Sequence, residues 1–320
     1  DPADRLSLRR ILALIAPNSV VRDELRGLLG WLAALGSNAL QETIIGIDPY
    51  AVLANGDPAQ LTAKSKQLLL RSLRKLSELD PYFRRSDAWR QFNLVGFFTD
   101  DVVEDVKLIL GGQNNDSHLP QLILELLYEA EAVEALTGDL RAFMLKTAND
   151  FNGRILAQRC LSKVSGYSSS DDFLQLLDEG THDALTIAAS FISTPSFRPI
   201  ERSLVLQLLR QLALLGVPIS GSRAQRRNDL RYFITELVNS LSFEHTAWLL
   251  DNLTAGLTCT CDATSQFDCH CRASISKIVA RLLDQYFKLI QEEHDPKQIW
   301  GWSKNLKFER EASPESYAVE

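Results

Sequence analysis

The chain has 320 residues, 45% of them hydrophobic and 23% charged, and its 34 Lys and Arg against 41 Asp and Glu leave a net charge of −7. That length buries a sizeable core without disulfides and suggests two domains or one elongated one. A mean hydropathy of −0.08 and the lack of any apolar run near about 18 residues exclude a membrane-spanning helix, and the acidic balance disfavours nucleic-acid binding through overall charge. The expectation is a soluble, cytoplasmic protein with no membrane partner.

The opening DPADRLSLRR has neither an initiator Met nor a leader pattern, and reads as a cut from something longer. Two helices are predicted between Arg5 and Leu35, broken at Ala16-Pro17-Asn18-Ser19, where Pro17 disfavours continuation and Asn18 or Ser19 can cap the next start. Ile47-Asp48-Pro49-Tyr50 then returns as Leu79-Asp80-Pro81-Tyr82, an offset of 32 residues. Asp caps a helix and Pro suits its first position, so each Asp-Pro-Tyr is expected to end one helix and begin another. A period of this length fits stacked helix pairs.

Between the two copies, Leu69, Leu73, Leu76 and Leu79 follow helical spacing, leaving Lys66, Arg71, Arg74 and Lys75 for other faces. Charge is unevenly placed around this helix. Lys64 to Arg90 carries eight basic and three acidic residues, whereas Asp100 to Asp150 carries eleven acidic and three basic. Such blocks are expected on the solvated faces of neighbouring helices that attract one another weakly.

Beyond the break at Gly111-Gly112-Gln113-Asn114-Asn115-Asp116-Ser117, short apolar helices are predicted at Leu119 to Tyr128, Val133 to Leu145, Ile155 to Val164 and Phe173 to Leu177. Cys160 sits among apolar residues and reads as a small buried hydrophobe. Leu204 to Leu215 is apolar on more than one face, as an inner helix would be. Arg223, Arg226, Arg227 and Arg231 form a second basic patch without a glycine-rich phosphate loop. The fold expected from these elements is all-α: a right-handed α-solenoid of antiparallel helix pairs, HEAT-like. Its segments are read as 1–112, 118–253 and 254–308, with a frayed tail at 309–320.

The one stretch with recognisable chemistry is CTCDATSQFDCHC, a C-x-C-x7-C-H-C pattern. Zinc favours thiolate and imidazole in a tetrahedral set, and four protein ligands make a closed, structural site. Cys259, Cys261, Cys269 and Cys271 supply such a set, with His270 as an alternative fourth ligand. Two disulfides or four free thiols are the other readings, and disulfides do not suit a reducing cytoplasm. The stripe Ile275, Ile278, Val279, Leu282, Leu283, Tyr286, Phe287 and Ile290 marks a long amphipathic helix directly behind the cluster. A metal there would clamp the loop to the helix start.

The sequence carries no Walker motif, no G-x-G-x-x-G after a strand, no G-x-S-x-G and no H-E-x-x-H. His118, His182, His245 and His294 are scattered and read as surface or satisfied polar residues. Trp300-Gly301-Trp302 reads as packing against the final helix rather than as a stacking platform.

Three stretches, IIGIDPYAVLANGDPAQLT, LDPYFRRSDAW and CTC…CHCRASISKIVARLLDQYF, resemble the helical region that follows the nucleotide-binding core in bacterial NACHT-type NTPases of the STAND class, several of them linked to anti-phage defence. The resemblance implies a non-catalytic sensor or scaffold array beside an ATPase upstream of Asp1, with a protein partner or an oligomer as its counterpart. ATP would then bind only in that missing domain, and structural Zn2+ would be the cofactor of this segment. A nucleic-acid-binding or processing module using the two basic patches is the alternative reading, and a zinc-dependent hydrolase is the third.

Overall fold

The computed structural model describes residues 10–17, 20–84, 96–112, 118–128, 130–197, 199–215, 233–255, 273–290 and 293–304. Among them every regular element is helical and no strand occurs, so the all-α class stands. The chain divides into two compact units, Asp1–Gly166 and Tyr167–Glu320. The division falls in the Ser- and Gly-rich cluster 165–170, within the segment that the sequence reading ran from 118 to 253.

The first unit opens with a helical stretch at 10–15, followed by α1 (Arg26–Leu35), α2 (Asn38–Ile47), α3 (Pro49–Asn55) and α4 (Ala63–Leu79). It continues with α5 (Val103–Leu110), α6 (His118–Leu127), α7 (Thr137–Leu145) and α8 (Phe151–Leu161). The long α4 shows how sequence makes these elements. Thr62 caps its start by accepting from the Ser65 N–H, and Leu69, Leu70 and Leu73 are fully buried along one stripe. Each such leucine contributes about 1.5–3 kcal/mol by leaving water. At the far end Asp80 closes the helix and Pro81 cannot continue it. Helices pack on those one or two places away along the chain: α1 on α2 and α3, α2 on α4, α4 on α5 and α6, α5 on α7, and α8 on α6 and α7.

The Asp-Pro echo proves to be capping chemistry. Asp48 accepts from the Ala51 N–H at 2.8 Å and Pro49 takes the first position of α3, so this copy ends one helix and starts another as expected. Asp57-Pro58 and Asp295-Pro296 do the same at two further helix starts. Asp80 instead accepts from the Tyr82 N–H at 3.1 Å in a turn over 81–84. The tyrosines diverge too. Tyr50 is buried, edge-on to Phe83 at 5.3 Å, whereas Tyr82 is half exposed and edge-on to His118 at 5.2 Å.

The second unit comprises α9 (Ser170–Glu179), α10 (His182–Ser193), α11 (Arg202–Leu215), a helical stretch at 233–239, α12 (Phe243–Thr254), α13 (Ala273–Leu289) and α14 (Pro296–Ser303). Gly180, at a φ of 61°, ends α9 in the left-handed region that a glycine adopts without strain, and Thr181 caps α10 by accepting from the Ala184 N–H. Here α10 packs on α9 and α11, while α11, α12 and α13 pack mutually. Of the stripe read for α13, Ile278, Val279, Leu282, Leu283 and Tyr286 are buried, Ile275 and Phe287 are half-buried, and Ile290 follows the end of the helix. Two polar residues beside that stripe are also used: Gln285 is buried and donates to the Asn239 and Leu241 carbonyls, and Arg281 donates to the Thr235 hydroxyl.

Candidate functional site

Cys259, Cys261, Cys269, His270 and Cys271 lie outside the described residues, and so do Arg223, Arg226, Arg227 and Arg231. Among the described residues no group of three or more His, Cys, Asp and Glu could hold a metal ion. Cys160 is fully buried in α8 with its thiol against the Leu124 carbonyl at 3.3 Å, and burial pushes its pKa up to about 12. A thiol so protected from ionising is a packing group, not a nucleophile.

The first basic block is where structure adds most. Lys64 pairs with Glu42 at 2.7 Å, Arg71 with Asp105 at 2.9 Å, Arg74 with Glu78 at 3.6 Å, and Arg84 with Glu125 at 2.8 Å. Asp105 and Glu125 belong to the acidic block, so the alternation of charge along the chain joins α4 and the turn after it to α5 and α6. Neither bond is a pairing of solvated faces alone. Arg71 holds Asp105 through two nitrogens while that carboxylate is only 8% exposed, and the Arg84 side chain is only 3% exposed. Gln67 adds a bond to the Asp101 carbonyl at 2.8 Å.

Lys66, assigned from sequence to an outward face, is buried at 5% exposure. Its ammonium donates to the Gly96 carbonyl at 2.8 Å and lies over the Phe97 ring at 5.8 Å from the centroid. Gly96 itself has a φ of 83°, the conformation that turns its carbonyl toward the lysine without a Cβ clash. Burial lowers the Lys66 pKa, with Asp101 and then Asp57 working the other way. In the folded chain Lys66 therefore loses its proton at lower pH than in the unfolded chain. Between its lowered value and the ordinary 10.5 the unfolded chain binds more protons, so stability rises with pH across that window. Urea titrations from neutral pH to pH ~10.5 should show the natural chain gaining on Lys66→Met as pH increases. A difference that stays flat would remove the buried ammonium from this account.

Between the C-terminal ends of α4 and α5 and the start of α6 lies an open cleft of about 490 Å³. Arg74, Ser77 and Glu78 form one wall, Lys107 and Leu108 another, and Pro120 the third. The cations are already matched: Arg74 by Glu78, and Lys107 by Glu104 at 2.8 Å, a hydrogen bond that raises the Lys107 pKa. Ser77, the one hydroxyl among these residues, donates to the Arg74 carbonyl at 2.8 Å. The cleft offers mixed charge and one exposed leucine, Leu108.

The histidines hold separate structural places. His118 begins α6, donating its N–H to the Pro81 carbonyl; His182 begins α10; His245 lies in the first turn of α12; and His294 is edge-on to Phe287 at 5.6 Å. Trp300 and Trp302 part company. Trp302 is buried, donates to Asp251 at 2.8 Å and meets Tyr286 at 5.0 Å, as the packing expectation had it, while Trp300 is 69% exposed. Tyr286 also stacks on Phe243 at 4.9 Å, and burial, followed by Asp251, raises its pKa.

Compared with models of known protein families, with curated proteins and with solved structures, the chain gives no match.

Proposed function

We propose that this chain is a non-catalytic helical-repeat scaffold, a HEAT-like right-handed α-solenoid that recognises a protein partner or supports oligomerisation, as a segment of a larger STAND-type NTPase. The observation that carries this reading is sequence-local packing. Within each unit, helices rest chiefly on near neighbours along the chain, which is how stacked pairs bury their cores. The cleft beside α4, with matched charges and its one hydroxyl bonded to a carbonyl, supports a binding rather than a reacting surface.

The internal pairing of Lys64, Arg71, Arg74 and Arg84 favours this reading over the nucleic-acid alternative, because cations already held by carboxylates release few counterions on meeting phosphate. In the proposed scaffold Cys259, Cys261, Cys269 and Cys271 hold a structural zinc that secures the start of α13. The donor set is chemically right for zinc, and metal analysis of the reduced, folded chain finding no zinc would delete this element.

Hydrogen exchange at stepped denaturant concentrations tests the array. Stacked repeats open in segments, so α1–α4 and α5–α8 should release protection at different denaturant levels. One opening event common to both would mark a single cooperative core and overturn the repeat reading.

A further inference from the structure

We propose that Asn55-Gly56 is a latent self-modification site, an amide set to rearrange to aspartate and isoaspartate and held unreactive by the crossing of α1 on α3. The sequence contains two Asn-Gly pairs, 55–56 and 152–153. An Asn ahead of glycine is the arrangement most open to this chemistry, because no Cβ on the following residue hinders attack by its nitrogen. The Gly56 nitrogen adds to the Asn55 Cγ, forming a new C–N bond as the bond from Cγ to the side-chain nitrogen breaks. The proton from Gly56 leaves with that nitrogen as ammonia. Water then opens the five-membered imide at one carbonyl or the other, giving aspartate or isoaspartate.

The fold restrains both reacting groups. Asn55 is the last residue of α3, and ring closure requires it to leave the helical ψ of about −42°. Its side-chain nitrogen, the leaving group, donates back along the helix to the Ala51 carbonyl at 3.3 Å. The attacking nitrogen is engaged as well: the Gly56 N–H donates to the Val52 carbonyl at 3.2 Å, and Gly30 of α1 lies so close that a Cβ on it would stand 2.5 Å from that nitrogen. Reaction therefore waits on an opening in which α3 loses its last turn and α1 draws back. The change is one-way. Isoaspartate inserts an extra carbon into the backbone before Gly56, which then no longer fits against Gly30, and either product sets a carboxylate at the C-terminal end of α3, where the helix dipole disfavours it. The pair at 152–153 is an internal comparison, since Gly153 donates its N–H to the Asp150 carboxylate at 3.3 Å in the first turn of α8, and α8 packs on α6 and α7.

Incubation of the full chain in mildly alkaline buffer, followed by peptide mapping with mass spectrometry and isoaspartate labelling, tests this. In concentrated urea the two pairs should react at similar rates, and in the folded chain Asn55 should react at least about tenfold more slowly than in urea. Gly30→Ala, which forces α1 from α3, should speed Asn55 by about tenfold or more while Asn152 changes less, because a reaction from an open state follows that state's population. Should that variant not fold, the natural chain at stepped urea concentrations below its unfolding transition takes its place, and Asn55 should speed up before Asn152. Asn55 reacting in the folded natural chain as fast as in urea, a folded Gly30→Ala that leaves Asn55 unchanged, or a rise shared equally by both pairs overturns the proposal.

Discussion

Gly30→Ala is expected to destabilise the chain by about 3 kcal/mol, although the same exchange in an exposed helix usually stabilises it by up to about 1 kcal/mol. Gly30 is buried in α1 where that helix crosses the end of α3. A Cβ added there would stand 2.5 Å from the Gly56 nitrogen, 2.7 Å from the Asn55 carbonyl carbon and 2.9 Å from the Gly56 Cα. The approach is reciprocal, since a Cβ on Gly56 would meet the Gly30 carbonyl oxygen at 2.5 Å. All these neighbours are backbone, so no rotamer change relieves the overlap and α1 and α3 must separate. Gly46, exposed near the end of α2 with nothing within 4 Å of its would-be Cβ, is the matched control. Gly46→Ala should be neutral or stabilising by about 0.5–1 kcal/mol. Urea unfolding of both variants decides the matter, and two changes of the same sign would remove the backbone contact from the explanation.

How much of this was legible beforehand depends on the range over which each residue acts. Helix ends were open to reading because capping is local: Asp48 and Pro49 settle their junction from within four residues. The stripe on α13 was legible for the same reason, through its spacing alone. Gln285 and Arg281 were not, because their partners lie 44 to 46 residues away on the stretch 235–241. Lys66 resisted for another reason. A lysine in a basic block is taken for a solvated charge, and only the approach of Gly96 and Phe97, 30 or more residues on, places it inside. The opposed charge blocks were visible as composition, yet composition does not say that Arg71 would find Asp105. The Gly30–Gly56 contact had no sequence signal at all, since glycine is common in turns and only the crossing makes it obligatory. Where two helices meet is information no single periodic stripe contains.

The Arg84–Glu125 pair has the second large consequence. Glu125→Ala should cost about 3 kcal/mol, at the low end of what breaking a buried ion pair costs. The guanidinium is 3% exposed and bonds the carboxylate at 2.8 Å, whereas Glu125 is 35% exposed, so water can reach part of the vacated site and soften the loss. Glu125→Gln keeps an acceptor while deleting the charge and should lose about half as much. The comparison pair is Lys64–Glu42, at 81% and 39% exposure, where Glu42→Ala should stay within about 0.5 kcal/mol. Salt separates the two further: at high ionic strength the Glu42 effect fades, while that of Glu125 persists because its partner is screened from ions by the fold. Equal losses at both positions would mean that the charge blocks decorate the surface rather than join α6 to the turn after α4. An unequal result ties Arg84, within the basic stretch, to the interior of the first unit, and a cation so enclosed is not offered to a nucleic acid.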